Sequence, residues 1–367
     1  MSDPPMQAPA SLLLVSLRYL GDVLLTTGVA RRLREAWPQV QIDMLVFAGT
    51  EGMLAGNPDL NAVHVLPRGI GFAAQLRFAL SLWNRYELAL IPQTGDRPHV
   101  FGWAAAQRRI GLVPPVRKRR FWKAWLLEQA LDADAAVHRV TEYARLPAAL
   151  GLSGTPRLRP PSAGLSAAAL SALAGFDVEK EPFVVLHPAP RRLYKRWHAE
   201  GWHALIEALQ ARGLRVVVTA APVEAERAYV DEVLGPSKAA VTNLGGKLSL
   251  AQTADLLHYA AAYVGPDTAT THLAAACGTP TVALYGPTDP RLWGPWPADG
   301  LATPYEKSFA LQRRGNVALL QNSALACVPC QLEGCERHRD SYSQCLDEVP
   351  MEAVFTALQR LQVGRAT

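Results

Sequence analysis

Short apolar runs alternate with longer stretches of helical period along most of the chain. Leu12–Leu17 is a compact apolar run of the kind that is buried on both faces of a parallel sheet. Arg18–Asp22 reads as a turn and Val23–Ala36 as a helix. Gln41–Phe47 alternates like a strand. Ala62–Leu66 and Leu88–Pro92 look like further strands, with the helical segment Phe72–Arg85 between them. His138–Leu150 is helical, with Val140, Tyr143, Ala144 and Leu146 near one face. Strand–helix alternation of this kind predicts an α/β domain with a doubly wound parallel sheet.

Glycine, proline and serine then gather in residues 151–164, a composition that reads as a linker. The alternation resumes beyond it. Phe183–His187 and Arg215–Thr219 are expected strands, and Ala199–Ala211, Val223–Leu234 and Leu250–Tyr259 expected helices. From Val264 to Asp289 the chain reads strand end, turn, alanine-rich helix Ala269–Cys277, strand Thr281–Leu284 and a second turn. Pro350–Leu361 is a final amphipathic helix. The expected organisation is a domain over residues 1–160, a second over 161–346, and a C-terminal helix in 347–367 that packs back on the first.

A length of 367 residues suits two domains. No apolar run approaches the ~18–20 residues that span a bilayer, and MSDPPMQAPA lacks the basic start and apolar stretch of a secretory signal. The expected location is cytoplasmic. The formal charge of +5 points to acidic partners, and the positive charge is concentrated locally. Arg117, Lys118, Arg119, Arg120 and Lys123 stand among Phe121, Trp122 and Trp125, a composition that suits a phosphorylated partner or a membrane surface, or else a solvated basic loop.

Three segments carry candidate chemistry. In Val264–Asp289, Asp267 and Thr268 stand where a helix begins, and unpaired N–H groups together with the helix dipole attract anions there. The turn after Thr281–Leu284 would reach the same carboxyl edge of the sheet, which suggests a phosphate-bearing ligand. The second segment, His187–Trp197, follows a strand and holds Arg191, Arg192, Lys195 and Arg196, the neutralising charge a diphosphate requires. The third is Ser16–Thr27. Gly21 permits a tight turn, and Asp22 either caps the helix or serves as a general base at the sheet's edge. Neither a G-x-G-x-x-G after the first strand nor a G-x-x-x-x-G-K-[ST] is present, which weighs against a dinucleotide enzyme and a P-loop nucleotidase.

R-Y-x-G-D-x-L-L-T-T at Arg18–Thr27, H-P-x-x-x-x-x-x-K-x-W at His187–Trp197, D-T-x-x-x-H-x-A-A-A at Asp267–Ala276 and G-P-T-D at Gly286–Asp289 occur in this order across nearly the whole chain. In this combination the chain resembles family 9 of the glycosyltransferases, the lipopolysaccharide heptosyltransferases, and most nearly their heptosyltransferase III branch. The resemblance implies a GT-B fold, two Rossmann-like domains facing a central cleft. It implies inverting transfer of heptose from ADP-L-glycero-D-manno-heptose to the lipopolysaccharide inner core, with no cofactor required for catalysis. The acceptor would belong to the first domain and the nucleotide sugar to the second, at the cytoplasmic surface of the inner membrane. Asp22 becomes the general base. Lys195, with Arg191, Asp267, Thr268, Ala269, His272, Gly286 and Thr288, would hold the donor. Where the family often has an acidic ribose-binding residue after an S-L pair, this chain has Ala251, and Gln252 is the expected substitute. Arg18, Arg117, Lys118, Arg119 and Arg120 are expected on the acceptor side.

Cys327, Cys330, Cys335 and Cys345 form a C-x2-C-x4-C-x9-C cluster within the segment 327–345. Four thiolates suit a structural zinc or iron, and reduced thiols in a loop are the alternative. A related protein-heptosylating branch with a four-cysteine iron site makes heptose transfer to a protein a second enzymatic reading. A metal-stapled nucleic-acid-binding module is the non-enzymatic one.

Overall fold

The computed structural model describes residues 7–235 and 240–361, with the side chains of Arg117 and Arg119 left aside. The chain divides into two compact units at residues 161/162.

The first unit runs β1 (Ser11–Ser16), α1 (Leu20–Ala36), β2 (Gln41–Phe47), β3 (Ala62–Leu66), α2 (Phe72–Ser81), β4 (Tyr86–Ile91), α3 (Asp96–Ala105), β5 (Ala106–Val113), α4 (Arg117–Trp125), β6 (Gln129–Asp132) and α5 (Arg139–Ala148). Its six strands lie in the order β3-β2-β1-β4-β5-β6 and pair in parallel throughout. The chain leaves β1 toward β2 and later leaves β4 toward β5, so the strand order reverses between β1 and β4. Ligands of open α/β sheets bind at the carboxyl ends of the strands flanking such a reversal. The buried Gln93, two residues past β4, joins those ends: it accepts from Leu17 N (2.9 Å) and donates to Ser16 Oγ (3.1 Å).

The second unit runs α6 (Ala167–Ala174), β7 (Phe183–Leu186), α7 (Ala199–Gln210), β8 (Arg215–Val218), α8 (Glu224–Leu234), β9 (Thr242–Asn243), α9 (Leu250–Tyr259), β10 (Ala262–Pro266), α10 (Ala269–Ala276), β11 (Thr281–Tyr285), α11 (Pro290–Trp293), β12 (Leu311–Arg314), β13 (Val317–Gln321), α12 (Gln344–Asp347) and α13 (Met351–Arg360). The sheet order is β12-β13-β11-β10-β7-β8-β9, parallel except for β12. Here the reversal falls between β7 and β10.

Two expectations change. The linker is tied down at both ends. Arg159 N donates to Thr27 Oγ1 (2.9 Å) and its guanidinium pairs with Asp59 in the first unit. Asp255 of α9 accepts from Ser162 Oγ, Ala163 N and Leu165 N in the second. The C-terminal helix, expected to pack back on the first domain, instead buries Val354, Ala357 and Leu358 in the core of the second, beside Trp202 and Leu205 of α7. Its apolar stripe finds the nearest complementary face, and residues 362–367 lie outside the described region.

Candidate functional site

The loop after β7 carries Lys195 in a short 3-10 turn, Leu193–Lys195. Its basic run sorts in different directions. Trp197 is fully buried, rests edge-on against Trp202 (ring centroids 4.9 Å apart) and donates Nε1–H to Val349 O (2.9 Å). Arg196 lies over the Tyr229 ring at 4.0 Å, a cation–π contact. Arg191 is exposed. Lys195 turns inward, and Nζ meets Asp267 Oδ2 at 2.5 Å.

Asp267 follows β10, on the other side of the reversal, and is buried. Thr288 Oγ1 donates to the same Oδ2 at 2.6 Å, and His272 Nε2 stands 3.9 Å from Oδ1, too far for a hydrogen bond. Burial alone would raise the Asp267 pKa. The charges of Lys195 and His272 and the bonds from Lys195 and Thr288 outweigh it, and the carboxyl is held below its ordinary range. For Lys195, burial pulls the pKa down while Asp267 more than restores it, so the ammonium persists. Burial lowers the His272 pKa despite Asp267. Its buried Nδ1 has no hydrogen-bond partner among the described residues. Thr268 is the N-cap of α10, its Oγ1 accepting from Thr271 N, and Ala269 opens the helix, where N–H groups lack intrahelical acceptors. Gly286 follows β11. A Cβ there would stand 2.8 Å from Cys345 Sγ and 2.9 Å from Leu346 Cγ, so only glycine fits.

His187 is a core histidine. Nδ1 lies 3.1 Å from Thr219 Oγ1 and Nε2 3.4 Å from Thr270 Oγ1, and burial drops its pKa to about 4. The structure does not bring Gln252 into the Asp267 cluster. Its Oε1 accepts from Ser249 N (2.9 Å) and Ser249 Oγ accepts from Gln252 N, a reciprocal capping box at the start of α9. Tyr285, buried at the end of β11, is the neighbour that sequence reasoning missed. Burial, followed by the Asp267 charge, pushes its pKa well up, so its hydroxyl stays protonated.

In the first unit, Asp22 sits at the third position of α1, 5% exposed, while Tyr19 occupies the N-cap. Oδ1 accepts from Tyr143 Oη of α5 at 3.3 Å and stands 4.0 Å from the Arg18 guanidinium. Burial raises the Asp22 pKa. Arg18, Tyr143 and the N–H groups of Tyr19 and Asp22 itself pull the other way without cancelling it. The buried carboxylate is therefore a stronger base than an exposed aspartate. Tyr143, read from sequence only as an apolar-face residue, is fixed by the packing of α5 on α1, a contact no local pattern reveals.

The basic segment Arg117–Trp125 is helix α4 rather than a loop. Arg120 pairs with Asp132 (2.7 Å), Lys123 with Asp96 (2.7 Å), and Lys118 is exposed. The side chains of Arg117 and Arg119 lie outside the described region.

The four cysteines are free thiols near one another. Burial, then the charges of Cys330, Cys335 and Cys327, pushes Cys345 up to about 12. Yet Cys345 is buried while Cys327 and Cys335 are exposed, and among the described residues no group of three or more His, Cys, Asp or Glu side chains is disposed to hold a metal. A structural zinc or iron at this cluster finds no support in this arrangement, in which the four cysteines are free thiols.

Residues 75–308 match glycosyltransferase family 9 (heptosyltransferase). The chain is 30% identical over 320 residues to lipopolysaccharide heptosyltransferase 3 of Escherichia coli K12, covering 76% of this chain and 83% of that one. Among solved structures it is similar to a glycosyltransferase of family 9 from Veillonella parvula (TM-score 0.77, 17% identity, 97% and 98% coverage). It is also similar to the E. coli ADP-heptose lipopolysaccharide heptosyltransferase II (TM-score 0.72, 22% identity, 96% and 98% coverage).

Proposed function

Because the chain belongs to glycosyltransferase family 9, the heptosyltransferases, we propose that this enzyme moves heptose from ADP-heptose to the inner core of lipopolysaccharide with inversion at the anomeric carbon. The observation that carries the donor side is the Lys195–Asp267–Thr288 cluster beside the N-terminus of α10, at the carboxyl ends of β7 and β10 where the strand order reverses. The relatives' names supply the sugar: lipopolysaccharide heptosyltransferases and, in one case, ADP-heptose.

The chemistry assigns each group a role. Displacement at the anomeric carbon builds positive charge on the sugar and negative charge on the departing ADP. An ammonium has three donors, and Asp267 takes one of Lys195's, so two remain for the diphosphate. The N–H groups at Thr268 and Ala269 add a preorganised positive end. Gly286 and Thr288 line the same pocket, His272 Nδ1 offers one more polar contact, and Arg191 supplies outer charge. Asp22 takes the proton of the acceptor hydroxyl, its basicity raised by burial. Arg18, Lys118 and Arg120 face the anionic acceptor. The enzyme works at the cytoplasmic face of the inner membrane.

Asp22→Asn keeps the shape and the Tyr143 contact while removing the base. Transfer from ADP-heptose to a deep-core lipopolysaccharide acceptor should fall about 10²–10⁴-fold, with donor affinity by calorimetry unchanged. Substantial turnover by this variant would remove Asp22 as the base, and failure of the wild type to bind any ADP-sugar would remove the donor assignment. Heptose transfer to a protein loses its main support, since the cysteines are not disposed as metal ligands.

A further inference from the structure

We propose that the helical layer α2–α3–α4 of the first unit docks on an anionic phospholipid surface. Helix α2 presents its apolar stripe outward. Phe72, Leu76, Leu80 and, just past its end, Trp83 recur at helical spacing and are about half exposed or more, Phe72 at 81%. Ala79 and Leu82 are buried in the core, and Phe78 packs against it. Trp103 of α3 continues the stripe, meeting Trp83 edge-on with ring centroids 5.3 Å apart. On α4, Phe121 and Trp125 lie one turn apart, 78% and 81% exposed.

Topology gathers these helices. The crossovers β3→β4, β4→β5 and β5→β6 all run in the same direction across the sheet, so right-handed connections put α2, α3 and α4 on one face. Contacts agree: Phe78 packs on Phe101 between α2 and α3, and His99 on Trp122 between α3 and α4. Single exposed apolar side chains are ordinary, whereas a row of aromatic and aliphatic ones in one layer marks a docking surface.

Charge identifies the occupant. Residues 72–132 hold ten arginines and lysines against Glu87, Asp96, Glu128 and Asp132, an excess of six in a chain whose net charge is +5. The remainder of the protein is therefore close to neutral, and the positive charge is concentrated in the segment with the outward apolar stripe. Arg77 stands next to Leu76 on α2 and Lys118 heads α4, both exposed. Tryptophan, phenylalanine and leucine with arginine and lysine alongside is the composition of helices that lie in the interface of an anionic bilayer. Among the described residues no helix is long and apolar enough to cross a membrane, so the contact is one of surface.

The full-length protein is sedimented with phosphatidylcholine vesicles with and without phosphatidylglycerol. The expected result is binding to the anionic vesicles, weakened by salt, with tryptophan fluorescence quenched by brominated lipid. Leu76→Gln with Leu80→Gln, and separately Arg77→Glu, should each lower vesicle binding by about tenfold or more while ADP affinity is retained. That retained affinity separates this surface from the donor site. Equal binding to neutral vesicles, no quenching, or undiminished binding by both variants would overturn the proposal. Concentration-dependent self-association without vesicles, lost in the Leu76/Leu80 variant, would assign the face to a second copy and equally overturn it.

Discussion

Lys195→Met tests whether the Lys195–Asp267 pair is the keystone of the proposed donor site. The substitution keeps the length of the side chain and removes the ammonium, leaving Asp267 buried with Thr288 still bonded to it. Breaking a buried ion pair from one side costs about 3–5 kcal/mol. Lys195 is 23% exposed, so the lower end, ~3 kcal/mol, is the expectation. The pH dependence has a definite sign. In the wild type, the Asp267 pKa lies below its unfolded value, so its contribution is present above the unfolded pKa and disappears as pH falls through the folded one. Without Lys195, burial dominates and raises that pKa, and the penalty applies in full only above it. The gap between variant and wild type should therefore narrow on going from neutral to acid pH. Urea unfolding read from tryptophan emission reports on this region, since Trp197 and Trp202 are buried in the same unit. Adding Asp267→Asn to Lys195→Met should recover much of the loss, giving a coupling of about 2 kcal/mol in the double-mutant cycle. Coupling below ~0.5 kcal/mol, or a gap independent of pH, would refute the reasoning.

Two further outcomes follow from the geometry. Tyr143→Phe removes a hydroxyl that donates to Asp22 Oδ1 and so lets the Asp22 pKa rise further; the acid limb of the kcat/KM profile should move to higher pH, and an unmoved limb would separate Tyr143 from the base. Gly286→Ala drives a Cβ against Cys345 and Leu346 and should cost about 1–3 kcal/mol in thermal or urea unfolding, with partial recovery on adding Cys345→Ala to clear the nearer atom.

What was legible in the sequence follows from how locally each feature is determined. β1, β2, β4 and the β10–α10–β11 unit announced themselves through clean apolar runs between turn residues, and the structure has them within a few residues. β5 escaped notice because Arg108 and Arg109 sit inside it, the first satisfied by Glu128 and the second by backbone carbonyls. Glu128 makes Arg108 tolerable there, and carbonyls of Ala106, Gln107 and Leu126 do the same for Arg109. α4 looked like a loop for a related reason: its run of like charges is offset by Asp132 and Asp96, which come from β6 and α3. Gln252 is the opposite case. Ser249-x-x-Gln252 is itself a capping-box pattern, and the structure forms that capping box at the start of α9.

The basic loop after β7 shows why a site can be legible as composition and still opaque as mechanism. Four cations in six residues suggest anion binding, yet only tertiary packing sorts them. Trp197 must be buried for the loop to close, which turns Arg196 onto Tyr229 and leaves Lys195 to face the carboxyl end of β10. There it meets a carboxylate, which at first sight opposes phosphate binding. The pair resolves the conflict. A buried lysine with no counter-charge would shed its proton and lose its grip on an anion. Asp267 keeps the ammonium charged and aimed with one of its three donors, which leaves the other two and the start of α10 for the diphosphate we propose there. On the proposed reading Asp267 positions the cation, and the buried ion pair is what holds a charged lysine inside the protein.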